Sequence, residues 1–257
     1  MTIPQSIPQS LSVPWTRKHD KPGTPLFPPA RLVVFPRSLK DLIVICSTRD
    51  PDQRLHAAGS HWALSDAAVS DDTFIETHDY NNIRPAMGRT LFDVVGSGEP
   101  PKAGGCLADE FLSNLDAKSR AANSATEYYV HFESGKRIYQ LYSELDVGDS
   151  QQAQSLCQLM ATRFNNKWFQ GSWGFHTLGG AGGQTVVGAL STGTHGGDFD
   201  RPPLADDVVA LHLVADGGKH YWIEKGRTAT SIPFTDKAKL RAPRQIRNKD
   251  VARPQKF

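Results

Sequence analysis

The sequence predicts an α+β protein. Three observations carry that reading. A short apolar strand, an amphipathic helix and a second strand succeed one another between Arg31 and Ala58. Further on, stretches with apolar residues at helical spacing follow a turn at Ser134-Gly135. Finally, DDVVALHLVADGGKHYWIE alternates into two strands around Asp216-Gly217-Gly218, a composition suited to a hairpin turn.

The elements follow in chain order. Residues 1–29 are rich in Pro, Ser and Thr and read as an irregular extension; no basic start leads into an apolar stretch, so this is not a secretory signal. Arg31–Phe35 (RLVVF) reads as a strand, stopped by Pro36. Ser38 can cap a helix from Leu39, in which Leu39, Leu42, Ile43 and Cys46 recur at helical spacing. Arg54–Ala58 is a second strand entering Gly59, and Phe74–Thr77 a third, so that a parallel βαβ unit is expected. Residues 84–125 read as less regular, with breaks at Gly96-Ser97-Gly98 and Pro100-Pro101. A subdomain boundary is placed here, giving units over 30–110 and 111–235. From Glu127, YYVHFESGKRIYQLYSEL reads as strand, turn and helix. Ser150 to Phe164 carries Leu156, Leu159, Met160 and Phe164 on one helical stripe.

The chain has 257 residues, with 39% hydrophobic and 22% charged side chains, which fits a folded globular protein. No apolar run approaches the ~18 residues of a membrane span, so no membrane association is expected. Cys46, Cys106 and Cys157 form no CxxC pair, which argues against a zinc knuckle or a dithiol centre and fits small buried side chains in a reducing, cytoplasmic compartment. The net charge of +2 conceals an asymmetry: from Lys225 to Phe257 there are ten basic and two acidic residues, whereas the rest has 19 basic and 25 acidic. The basic tail, 236–257, could neutralise phosphates, but no aromatic platform or groove-binding motif accompanies it, so a solvated terminus is preferred to a nucleic-acid partner.

The densest chemical signal is GGAGGQTVVGALSTGTHGGDF, Gly179 to Phe199, eight of whose residues are glycine. Glycine lets backbone N–H groups approach a ligand closely, and successive N–H groups can form an anion-binding nest. Thr185, Ser191, Thr192 and Thr194 add hydroxyl donors. The same composition also suits a tightly packed turn, and composition alone does not separate the two. The stretch is no P-loop, because Gln184 follows Gly183 where Lys-Ser/Thr would stand, and no glycine follows RLVVF as a Rossmann fingerprint requires. A second glycine turn, AAGSHWALSD over 57–66, sits where the second strand ends, and ligands of α/β units bind beyond the carboxyl ends of strands. Taken alone, it is an ordinary turn.

In order, the chain reads VVFPRSLKDL, AAGSHWALSD, FIETHDYNNI, HFESGKRIYQL, VVGALSTGTHGGD and LADDVVALHLVADGG. Over roughly residues 30–235 this resembles the FAD-binding (PCMH-type) domain of the vanillyl-alcohol oxidase family, which includes alditol oxidases, sugar-lactone oxidases and the flavin-histidyl type of cholesterol oxidase. The resemblance implies two α+β subdomains with FAD extended between them. It implies that the first glycine loop, here Ala57, Ala58, Gly59, Ser60, His61, Trp62 and Ala63, wraps the FAD pyrophosphate with backbone amides. By motif position, Gly180, Thr185, Gly188, Thr192, Gly193, Thr194 and His195 run beside the rest of the cofactor.

Two departures qualify the resemblance. Many members attach FAD through a histidine placed Gly-x-x-His, but here that position is Trp62, with His61 one residue early. Neighbouring side chains of an extended loop point to opposite sides, so noncovalent FAD is expected. His61 is then a polar contact or a surface residue, and Trp62 either stacks near the cofactor or fills the core. His195 is expected to orient loop backbone; His176 and His195 are read as isolated from carboxylates and cysteines, with no metal site. The second departure is distal. Family members carry a domain that supplies the substrate pocket, whereas APRQIRNKDVARPQKF has no apolar periodicity. Two readings stay open: an oxidoreductase that passes hydride from an alcohol or sugar-like substrate to flavin N5, its substrate half in a missing domain or partner chain, or a decayed or incomplete cofactor-binding fragment without catalysis of its own. No catalytic base is named.

Overall fold

The computed structural model describes residues 12–14, 32–63, 70, 72–77, 87, 107–122, 127, 129–146, 154, 158, 162, 165, 173–224 and 234–236. Helices and strands are mixed, as an α+β fold requires. One sheet has four strands in the order β1-β2-β4-β3, built from β1 (Ser12–Pro14), β2 (Leu32–Val34), β3 (Leu55–Ala58) and β4 (Thr73–Glu76). Strands β2 and β3 both run parallel to β4, with Val33 opposite Phe74 and Ala58 opposite Glu76. Three residues of the stretch read as an irregular extension are therefore structured: β1 pairs antiparallel with β2, Val13 facing Val33.

Alternation along β2 explains why both faces of this sheet are covered. Leu32 and Val34 point one way, into a core with Ile45 and Ile75, while Val33 points the other way, to Phe74 and Ala58. Helix α1 (Leu39–Thr48) crosses between β2 and β3, and the Ser38 hydroxyl caps it by accepting from Asp41 N at 3.2 Å. Its fully buried residues are Ile43 and Ile45, with Leu42 and Cys46 partly buried beside them. Burial, with Asp216 nearby, pushes the Cys46 thiol up to about 11, so it is a core side chain and not a nucleophile. Cys106 and Cys157 lie outside the described residues.

A second core is formed largely by helices. Helix α2 (Asp109–Ala122) corrects the irregular reading for those residues; the breaks at Gly96-Ser97-Gly98 and Pro100-Pro101 lie outside the described residues. Its signal was in the sequence: Leu112, Leu115 and Ser119 form one buried stripe, and Asp109 and Glu110 open it while Arg120 closes it, each favourable to the helix dipole. Helix α3 (Ile138–Leu145) follows the turn at Ser134-Gly135; Gln140 Oε1 accepts from Arg137 N at 3.0 Å at its start. Helix α4 (Val186–Ser191) is capped by Thr185, whose Oγ1 accepts from Gly188 N at 3.2 Å. Ile138, Leu141, Leu145, Val186, Ala189 and Leu204 make the common core.

Among the described residues of 127–132 the expected strand does not form. Tyr129–His131 lie in no ladder, and only an isolated bridge marks Phe132. The alternation is nonetheless real: Val130 and Phe132 pack on the α3–α4 core, whereas Tyr129 stacks on Phe111 and His131 on Trp222. Of the helix expected over Ser150–Phe164, only Gln154, Gln158 and Thr162 are described; they are helical and exposed, and the apolar stripe lies outside the described residues. The hairpin β5 (Ala210–Val214) and β6 (His220–Glu224) forms with His212 opposite Trp222. Its turn is docked on α1: a Cβ at Gly218 would stand 2.7 Å from Ser47 Cβ and 2.9 Å from Ile43 O, and Arg49 Nη2 lies 2.7 Å from Asp216 Oδ1. Among the described residues no helix is long and apolar enough to cross a membrane. Of the basic tail only Asp236 is among them.

Candidate cofactor site

The first glycine turn leaves β3 at the carboxyl end of the parallel sheet. Parallel strands expose their last backbone groups there, which is why ligands of such sheets collect at that edge. Ala58, the last residue of β3, is buried; after it the chain turns through Gly59 and Ser60 to His61, which takes a left-handed φ of 54°. His61 Nε2 lies 2.5 Å from Glu76 Oε1, and its ring stands edge-on to Phe74 at 5.9 Å. His61 is thus turned down onto the sheet and is not a surface residue, whereas its neighbour Trp62 is 53% exposed and does not fill the core. Ala57 is exposed and Ala63 half-buried. Ser60 Oγ is buried with no hydrogen-bond partner among the described residues.

The second glycine region is stitched to the start of α3. Tyr139 N donates to Gly182 O at 3.0 Å, Ile138 N to Gln184 O at 3.0 Å, and Val186 N to Lys136 O at 2.8 Å. These bonds make residues 182–186 a fixed ridge, and Thr185 at its centre is fully buried. The first turn leans on that ridge. A Cβ added at Gly59 would lie 2.0 Å from Thr185 Oγ1, and one at Gly183 would lie 2.9 Å from Trp62 Cζ2. Two glycines, each far from the other in sequence, therefore let the two loops touch where any side chain would hold them apart.

Beyond α4 the chain doubles back. Thr192 Oγ1 donates to Gly188 O at 3.1 Å and Thr194 N to Ala189 O at 3.0 Å, with Gly193 between them at φ +70°. Gly196 N donates to Thr177 Oγ1 at 3.0 Å, and a Cβ at Gly179 would meet the Thr194 methyl at 2.7 Å, so the arms 177–180 and 193–196 lie side by side. A Cβ at Gly180, Gly193 or Gly197 would meet nothing within 4 Å. The backbone there is open to an incoming group. His195 Nδ1 lies 2.9 Å from Gly196 O.

The structure thus brings Gly59 against Thr185 and Trp62 against Gly183 across one seam, with Ser60 and His61 in the same turn and Gly188 behind Thr185. It puts Thr192, Gly193, Thr194 and His195 on an arm beyond α4, beside the irregular segment that carries Gly180. The reading of His176 as isolated from carboxylates is corrected: its Nδ1 lies 2.9 Å from Asp207 Oδ1, a partner 31 residues away that no local motif signals. Sequence reasoning also missed Glu76. Its signal was a lone carboxylate at the end of an apolar strand, buried among Phe74 and Ile75. Among the described residues no three metal-ligating side chains are assembled.

A D-arabinono-1,4-lactone oxidase of Kluyveromyces lactis is 27% identical to this chain over 138 residues, 54% of this chain and 22% of that protein. The match therefore spans about a fifth of the relative's length. No family model matches the chain, and no solved structure matches it.

Proposed function

We propose that this chain is the FAD-binding portion of a flavin-dependent oxidoreductase acting on the CH–OH group of an alcohol or sugar-like substrate. One observation carries the reading: the turn after β3 and the ridge before α4 meet through Gly59 and Thr185 at the carboxyl end of a parallel sheet. A diphosphate needs closely approaching backbone and hydroxyl donors rather than side-chain bulk. The residues fit such a group: the open backbone at Gly180 and Gly193 would admit it, and the buried Ser60 hydroxyl is a polar group in want of a partner. In this reading the Ala57–Ala63 turn holds the diphosphate, and Thr185, Gly188 and Thr192–His195 line the remainder. When bound, the flavin supplies the hydride-accepting N5, and the protein's part is to hold and orient it. The substrate class draws on the name of the Kluyveromyces lactis relative, an oxidase of a sugar lactone.

A second reading is a cofactor-binding unit with no turnover of its own. It is favoured by the side chain of the first turn: the imidazole of His61 lies 2.5 Å from Glu76 and is engaged within the protein rather than presented to a substrate. We infer that the groups touching substrate come from a further domain or a partner chain. We also infer that the flavin is held without a covalent bond, because the side chain at the Gly-x-x position is an indole.

An absorption spectrum of the purified chain, before and after acid precipitation, tests the cofactor assignment. Bands near ~370 and ~450 nm that move to the supernatant are expected. Bands that stay in the pellet would place a covalent link in the chain, and a colourless protein that takes up no added FAD would end the assignment.

The glycines provide a sharper check. Gly193→Val puts a branched side chain at a left-handed backbone position, where an L residue costs about 1–2 kcal/mol. Gly188→Val drives a Cβ to 2.7 Å from the Thr185 hydroxyl that caps α4. Both variants are expected to fold and to lose flavin. Unchanged flavin content in either folded variant would show that the loop does not face the cofactor.

A further inference from the structure

The His61–Glu76 pair is built at some expense. A non-glycine residue in left-handed backbone is strained and persists where its surroundings hold it. What holds His61 is on the neighbouring strand. Glu76 ends β4 and stands in register with Ala58, which ends β3. Its carboxylate is therefore level with the turn that leaves β3, and the side chains are 17% and 5% exposed for His61 and Glu76. The 2.5 Å contact between them ties the turn across the sheet, and Phe74 backs the imidazole from below.

Two consequences follow from this placement. First, with the imidazole turned onto the sheet, the indole of Trp62 is the side chain that reaches Gly183 on the ridge. Second, the imidazole stands over a buried carboxylate beside a turn read as a diphosphate site. Like charges at short range in a partly desolvated site repel strongly. The Glu76 carboxylate opposes an anionic ligand at Gly59–Ser60, and the imidazole hydrogen-bonded to it reduces that opposition.

We propose, resting on the FAD reading above, that His61 is a positioning residue: it acts through Glu76 to fix the Gly59–Ser60 turn and to mask the carboxylate from the flavin diphosphate. It is not the tether of the flavin. In the pairing, one nitrogen of the ring is engaged with the carboxylate, and the ring lies on the sheet side of the turn.

The test is a titration of the full chain with FAD, followed by flavin fluorescence, on wild type, His61→Ala, His61→Gln, Glu76→Gln and the double variant His61→Ala/Glu76→Gln, with thermal midpoints as a folding control. His61→Ala is expected to weaken FAD binding by about 10-fold or more, the scale of losing one hydrogen bond to a charged group. His61→Gln, which keeps a donor for Glu76, is expected to recover most of that loss. The double variant is expected to bind better than His61→Ala alone, because the exposed charge is gone; a purely structural role predicts the reverse, since two contacts are then lost. Wild type that binds FAD while His61→Ala binds equally well overturns the positioning role alone. Flavin that stays with acid-precipitated wild type but not with His61→Ala overturns it in favour of a tether. A folded wild type that takes up no FAD overturns the FAD reading and this proposal with it.

Discussion

Alanine at Gly59 is expected to abolish FAD uptake by the folded chain, and removing the Thr185 hydroxyl is expected to restore part of it. The added Cβ would stand 2.0 Å from Thr185 Oγ1, and 3.2 Å and 3.3 Å from that residue's Cβ and Cγ2. Thr185 cannot yield. It is buried, it caps α4, and its neighbours are bonded to Lys136 and Ile138 through the backbone. The first turn must therefore lift from the ridge, and a displacement of ~1 Å in a positioning loop is worth about 100-fold in what it positions. Thr185→Ala alone loses the cap, a loss of about 1 kcal/mol in stability. In the double variant the 2.0 Å and 3.3 Å contacts are gone and only the 3.2 Å Cβ contact remains, so FAD affinity should exceed that of Gly59→Ala. Isothermal titration of the four proteins measures the coupling. Equal affinity for wild type and Gly59→Ala would mean that the two loops do not jointly form the site.

Acidification is expected to destabilise the hairpin side of the molecule well before general acid unfolding. Burial pushes His131 down to about 4, with His212 nearby adding to it, and burial with His220 beside it pushes His212 to about 4. Both rings pack on Trp222, and His212 Nε2 lies 3.0 Å from His220 Nδ1. The sign follows from the unfolded chain, in which histidine titrates near 6.5. Between pH ~6.5 and ~4 the unfolded state binds protons that the folded state refuses, so stability falls as pH falls through that window and levels off below it. For His131 alone the loss approaches about 3 kcal/mol. His212 is more exposed and contributes less. Urea midpoints at pH 7.5 and pH 5 should differ clearly for wild type and less for His131→Gln. A wild-type midpoint that is flat across this range, or a variant as pH-sensitive as wild type, would remove these imidazoles as the cause.

Local chemistry made much of this fold readable and left the contacts between distant segments hidden. Ser38 before Leu39 and the apolar runs at β2 and β4 specify the βαβ unit through capping and alternation, both properties of adjacent residues. The hairpin follows from glycines at 217 and 218, each with positive φ. The segment at Tyr129–Phe132 misleads because alternation reports that two sides are buried, not that a partner strand is present. Helix α2 was obscured by the glycines and prolines that precede it. At the site, composition identified the two glycine loops, yet it could not say that Gly59 exists for Thr185 or Gly183 for Trp62, since each fits a neighbour supplied by another part of the chain. His61 shows the same limit. Its spacing from Gly59 argued against a tether, while its partner Glu76 lies on a different strand.

The hairpin turn on α1 also sets an order of events for a newly made chain. Arg49 and Asp216 are 167 residues apart. At synthesis rates of ~5–20 residues per second, α1 waits roughly 8–33 s for the turn that covers Ser47 and Ile43. Until then that side of the helix faces solvent or whatever binds nascent apolar surface. Helix α1 is thus finished well after it is made, and its docking is tied to the translation of the hairpin.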